Sequence, residues 1–500
     1  MDRDRKRTRH LQRINGALGG LAVVVLGVVL AGCGGSAGGT AAPGGAAATS
    51  TSTSTSTATA TVVATATPVP TATPMPLPLR SQERTVLLNL GAPGTLLVSG
   101  AHARAVVLTG TAAVPVQHLT VVDTAQGRVL ATTAVTLPTV SGTTALLALD
   151  EARGRAYLAI SSDGGGDPML LTLDLTTGRR RATWVVHGHP GAYLGGLAVD
   201  PVQGTVYVQA DGTTGDGLSA ASAVSTTIVA FSPAGRARGH VALPYDDAHP
   251  APQALAVDGR HDRALLVIPD PLGDGGRTAH LVGLDAARLR RVWQVPLAYV
   301  PRQVRLDERR GWLWLLAPGG RATVVATADG SVVRTIPLTD ARPTDWTQDP
   351  DLTIDPTTGV GYVSWCGGAA GDPVLCHVDR LDPRTGTRAT TPAAGAAVLA
   401  LAPTRGLYVT MEPDAASHLI ARRLRDGQAL ATVADLAALG GGSNVTLAPG
   451  LAGAAADTAR GALLALAMTV AAPNDVSGAR TTDGVVLLTL LPTGAGGVAR

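Results

Sequence analysis

The sequence predicts an all-β fold: a β-propeller of four-stranded antiparallel blades, eight by count with seven as the alternative, closed by an N-terminal strand. Three observations carry this. An apolar run, a turn and a second β-rich run return together about every 50 residues, the period of propeller blades rather than of helical arrays. A second hairpin follows each first one, so each unit supplies the four strands of one sheet. Gly and Pro number 61 and 33 in 500 residues, and aromatic residues make up only 3%, a composition that favours many turns over long helices.

The chain reads in three parts. Residues 1–32 pair a basic start, "MDRDRKRTRHLQR", with the apolar run "INGALGGLAVVVLGVVLAGC", the form of a secretory signal peptide. The run ends in "LAGC", Leu30 to Cys33, which resembles the lipobox of bacterial lipoproteins. That resemblance implies a diacylglyceryl thioether on Cys33, cleavage just before it and acylation of the new amine, palmitate-type lipid included. Two or more acyl chains hold a protein stably at a bilayer. The chain is therefore expected at the cell membrane, lipid-anchored on the extracytoplasmic face, with membrane lipid as its partner through Cys33. An uncleaved N-terminal anchor is the alternative, and it also leaves the rest of the chain outside the cytoplasm.

Residues 33–82 run from Gly/Ala through "TSTSTSTSTATAT" to a Pro-rich end. They bury too little to offset the entropy of ordering, so a disordered tether is expected, with a reach on the order of 100 Å.

Residues 83–500 hold the repeat. Its copies include "LLALDEARGRAYLAI" at Asp150, "LAVDPVQGTVYV" at Asp200, "LAVDGRHDRALLVI" at Asp258, "VRLDERRGWLWLL" at Asp307, "LTIDPTTGVGYVSW" at Asp355 and "AAADTARGALLALA" at Asp457. A carboxylate returning in unit after unit is a turn former. Asp accepts backbone N–H groups two residues on, Pro presets φ, and Gly closes the loop in the left-handed region. Ser99 and Ala402 replace it in two copies. The last copy stops soon after its second turn, one strand short. "ERTVLLNLG", residues 83–91, is a strand without a unit and is expected to complete that sheet, leaving no open edge.

The units, of the form vxxDPxxGxxYV … hxhhDxxTGxv, resemble the YVTN/NHL group of extracytoplasmic propellers, quinoprotein amine dehydrogenase-like ones included, over residues 83–500. The resemblance implies a propeller with ligands on the face opposite the Asp turns. It does not specify chemistry, which resides in the site.

On that face, four links between units bring polar and aromatic residues toward one mouth. They carry His187, His189, Tyr193, Tyr245, Asp246, Asp247, His249, Tyr299, Arg302, Asp345, Trp346 and Asp349. The other links are small and bland, so the rim is either half of an asymmetric ligand pocket or a solvated funnel of loops. His187, His189, Asp246, Asp247 and His249 offer donors for Zn or a harder ion, which leaves the metal state open. "SSDGGGDP" (161–168) and "DGTTGDG" (211–217) lack the full ligand set of a calcium loop and read as exposed turns.

Cys366 and Cys376 stand at strand ends joined by a hairpin loop. Outside the cytoplasm a cross-strand disulfide is expected of them, with two buried thiols as the alternative. No G-x-S-x-G, H-E-x-x-H or P-loop is present, so no catalytic residue is assigned and no cofactor is predicted.

Residues 1–32 carry a formal charge of +4, and the remainder of the chain is −1. With no basic, aromatic-interleaved segment, it offers no footprint for nucleic acid. The reading is a membrane-anchored extracytoplasmic propeller that acts as a binding or scaffold module for a cell-surface protein, peptide or carbohydrate. A propeller enzyme at the mouth, such as a lactonase or quinone-linked dehydrogenase, and a purely structural envelope component are its rivals.

Overall fold

The computed structural model describes residues 79–492 apart from 82–85, 90–92, 110–115, 137–144, 162–165, 190–191, 214–223, 246–253, 271–277, 319, 339–345, 368–374, 394–396, 412–417, 436–444, 458–460 and 472–480. The expected signal peptide, Cys33 and most of the tether lie outside the described residues. The described ones belong to one compact unit, Pro76–Arg500.

Seven four-stranded antiparallel sheets follow one another, each in sequence order, and no α-helix occurs among the described residues. They are blade 1 (93–136), blade 2 (145–185), blade 3 (193–245), blade 4 (254–297), blade 5 (303–337), blade 6 (346–392) and blade 7 (397–435). First strands touch the adjoining blade all along this series. Val445–Asp457 touches both Ala397–Ala402 and Pro93–Ser99, which brings the ring round.

Seven is thus the number of four-stranded blades, the alternative count. The eighth unit of sequence is built differently because it supplies only three strands: Val445–Asp457, Gly461–Ala471 and Thr481–Pro492. Its last strand pairs with Val86–Asn89, in the register Val86 to Leu487, as the unassigned strand led one to expect. It also pairs with Leu79–Ser81, in the register Leu79 to Pro492. That second segment falls within the stretch 33–82 that the sequence led one to expect as tether. The physical cause is length: a 12-residue strand has more backbone donors and acceptors than a four-residue partner can meet.

The core lies between sheets. One cluster joins Val106, Leu108 and Leu119 of blade 1 to Leu158, Ile160 and Leu173 of blade 2. The same arrangement recurs up to Tyr362, Cys366 and Cys376 of blade 6 with Leu401 and Tyr408 of blade 7. Alternate residues of the inner strands point to opposite neighbours, so near-continuous apolar runs are what this packing demands.

The first turn of each blade is as the repeat implied. Asp200 Oδ1 accepts the Val202 and Gln203 amides at 2.8 and 2.9 Å. Gly204, at φ 71°, donates its N–H to Asp200 O at 2.7 Å. Asp200 is a fully buried structural residue.

At four of these turns the third residue after the Asp position does something the sequence did not announce: it clasps the next blade. His102 Nε2 meets Glu151 O at 2.6 Å. Arg153 donates to Pro201 O and Val202 O at 3.4 and 2.9 Å. Gln203 reaches Asp262 at 3.1 Å, and Arg310 donates to Pro356 O and Thr357 O at 3.3 and 2.6 Å.

Candidate functional site

Opposite the Asp turns lie the loops within blades and the links between them. On blade 2 the link holding His187 and His189 is pinned by Asp167. Its Oδ1 accepts the His189 amide at 2.9 Å, and its Oδ2 stands 3.4 Å from His187 Nδ1. Val186 donates to Pro168 O at 2.9 Å. Asp167 belongs to the segment expected to be an exposed turn; it is half-buried and organises the link. Burial pulls the His189 imidazole below its usual range, against the opposing effect of Asp167, so it stays neutral near pH 7.

The other sequence-derived rim residues fare unevenly. Tyr299 is buried within the cluster joining blades 4 and 5, donating its hydroxyl to Thr323 Oγ1 at 2.7 Å beneath the Arg321 guanidinium. Arg302 is exposed, and its amide donates to Leu316 O at 2.8 Å. Tyr193, Tyr245, Trp346 and Asp349 have their backbones in strands. Asp246, Asp247, His249 and Asp345 lie outside the described residues. Of the described side chains proposed for the rim, only His187 and His189 are brought to one group, Asp167.

A polar cluster that sequence reading passed over sits at the same end of blade 3. Asp211 stands near the end of the second strand, Val206–Thr213, paired with Tyr193 on one side and Thr226 on the other. Thr226 Oγ1 donates to Asp211 Oδ1 at 2.5 Å, and Gln209 Nε2 donates to both carboxylate oxygens at 3.1 and 3.0 Å. Burial pushes the Asp211 carboxyl up, and these two donors recover only part of the shift.

The first strand opposite, Tyr193–Val199, carries a β-bulge between Leu194 and Gly196, with Gly195 as the extra residue. Gly195 is exposed, and a Cβ there would collide with Gln209 Nε2 and Asp211 Oδ2. Glycine therefore lets the Gln209 amide and the Asp211 carboxylate pack directly against the backbone of the first strand. The signal was available: "YLGGLAV" breaks an apolar strand with two glycines, and "VYVQADG" puts Gln209 where the copies at Asp258 and Asp307 have Val267 and Leu316, and Asp211 where they have Pro269 and Pro318.

Blade 6 holds a second buried acid. Asp379 accepts from Trp365 Nε1 at 3.1 Å and Thr390 Oγ1 at 2.5 Å, and burial pushes its carboxyl up. Trp365 stacks on His377 at 4.6 Å. The Cys366–Cys376 disulfide lies on the same two strands, its residues directly opposite in register. Asp379 is fully buried, so this group stabilises the sheet. Among the described residues, no three His, Cys, Asp or Glu side chains gather closely enough to hold a metal ion.

No family model matches the chain, and no curated protein matches it in sequence. Solved structures do resemble it. A quinohemoprotein alcohol dehydrogenase from Comamonas testosteroni superposes with a TM-score of 0.51 at 14% identity, over 84% of this chain and 77% of that one. A europium-containing methanol dehydrogenase gives 0.48 at 13%, over 83% and 93%. The computationally designed Ika8 protein gives 0.44 at 13%, over 83% and 99%. At such identity the likeness shows the propeller fold alone.

Proposed function

We propose that this chain is a binding module: an extracytoplasmic propeller, membrane-anchored through Cys33, that takes a polar ligand at the loop-side mouth of blade 3. The observation that supports it is Asp211, held by Gln209 and Thr226 behind the bulge at Gly195. A carboxyl whose proton affinity is raised by burial, and which is held by neutral donors, offers hydrogen-bonding capacity to a ligand hydroxyl or amide. Carbohydrate and peptide both offer such groups. The His189 amide and the His187 ring both meet Asp167, which places them in the link of blade 2.

An enzyme working at the same mouth is the second reading, favoured by the raised proton affinity of the Asp211 carboxyl. One experiment separates the two. The full chain and its Asp211→Asn variant are screened on an array of neutral oligosaccharides and short peptides. Both are also assayed for lactone hydrolysis and dye-linked alcohol oxidation. The binding reading expects one ligand class to be retained by the parent and weakened at least about tenfold in the variant, at an unchanged melting temperature. Turnover by the parent that disappears in the variant would establish the enzyme.

A further inference from the structure

Charge is spread unevenly over the outer edges of the blades. Counting from the last residue of the third strand to the end of the fourth, blade 2 carries Arg179, Arg180 and Arg181 against Asp174. Blade 3 carries Arg236 and Arg238 with no acid, and blade 4 carries Arg288, Arg290 and Arg291 against Asp285. These three consecutive edges hold a net charge of +6, whereas the same segments of blades 1, 5, 6 and 7 hold +1 together. All eight arginines are exposed.

The three segments are far apart in sequence, so a nearly neutral composition hides what the ring assembles. The arc is also only lightly neutralised. Asp285 is shared between Arg288 at 3.1 Å and Arg290 at 3.9 Å, and Asp174 meets Arg181 at 3.6 Å. Arg238 is oriented by Gln203 Oε1 and Thr205 Oγ1 at 3.2 and 2.9 Å, and Arg291 by Gln294 Oε1 at 2.9 Å. Neutral acceptors fix these forks in place and leave their charge intact.

We infer that the outer edges of blades 2 to 4 form a docking surface for a linear acidic polysaccharide. Planar guanidinium groups match carboxylate or sulfate pairwise, and exposed like charges at this density attract a polyanion across a Debye length. The arc follows successive blade edges that face different directions around the ring. A flexible polymer can follow all three, whereas a flat bilayer meets such a curve one edge at a time. The strand Leu79–Ser81, where the tether arrives, belongs to the sheet of the eighth unit. One blade separates that sheet from the arc on one side and three blades on the other, so the arc is carried away from the point of attachment.

The test is retention of the detergent-solubilised full chain on immobilised polygalacturonate along a salt gradient. The triple variant Arg180→Glu, Arg236→Glu, Arg291→Glu is compared with Arg128→Glu, Arg384→Glu, Arg425→Glu, which changes net charge equally on other blades. We expect the first triple to bind at least tenfold more weakly and the second to bind like the parent. The milder triple to Gln, with melting temperatures of all variants, guards against loss of fold. Equal weakening by both Glu triples, or no retention of the parent, overturns the inference. So does an arc-dependent preference for vesicles of phosphatidylglycerol over the polymer.

Discussion

Glu308 shows how one side chain can tie stability to pH. It follows the turn acid Asp307 and lies near two more turn acids, Asp258 and Asp200. Asp200 Oδ2 is itself buried without a hydrogen-bond partner, against the backbone of Gly259. Burial, then the charges of Asp258 and Asp200, push Glu308 from 4.5 up to about 7, with Arg260 opposing. A folded-state pKa above the unfolded one means the native state holds the extra proton. The associated stability is complete below about pH 4.5 and is lost as pH rises through about 7. Glu308→Gln stays neutral throughout. Thermal unfolding between pH 4 and pH 9 should find it equal to the parent at the acid end and higher-melting at pH 8. The turn acids were legible because one residue type recurs. The clasps at His102, Arg153, Gln203 and Arg310 were not, since three different side-chain chemistries perform one task and only the shared position betrays them.

At the scale of the element, each hairpin fixes its neighbour's register, and blade 6 adds a covalent tie. Cys366 and Cys376 are ten residues apart, so closing that loop restricts the unfolded chain by on the order of 2–3 kcal/mol. The double variant Cys366→Ser, Cys376→Ser should lose about that much in denaturant unfolding. Reductant should lower the parent's midpoint and leave the variant's unmoved. Strand positions, the disulfide and the missing fourth strand were all readable, because alternation and turn residues are local signals. The Asp211 cluster was not, because a bulge is a relation between two strands: Gly195 gains its meaning only when Gln209 and Asp211 are seen opposite it. Tyr299 failed as a rim residue for a similar reason. A tyrosine in a link can turn inward when a threonine such as Thr323 waits to take its hydroxyl.

For the whole molecule, closure depends on two short N-terminal strands sharing the edge of Thr481–Pro492. Deleting residues 76–90 leaves twelve residues of edge backbone unpaired on one side, an invitation to pairing between molecules. Size-exclusion chromatography of the deleted chain should show self-association, where the parent elutes as a closed species. That the ring closes this way was foreseeable from a strand without a unit and a unit without a strand. The basic arc was not, since net charge sums over the chain and discards position.

This clasp also sets an order of events. The strands at 79–89 leave the ribosome early, and their partner is among the last segments made. Until then the blades are held only by their immediate neighbours, and contacts this distant in sequence are slow to form. A transcript cut short anywhere before Thr481 yields leaflets that can never be fastened.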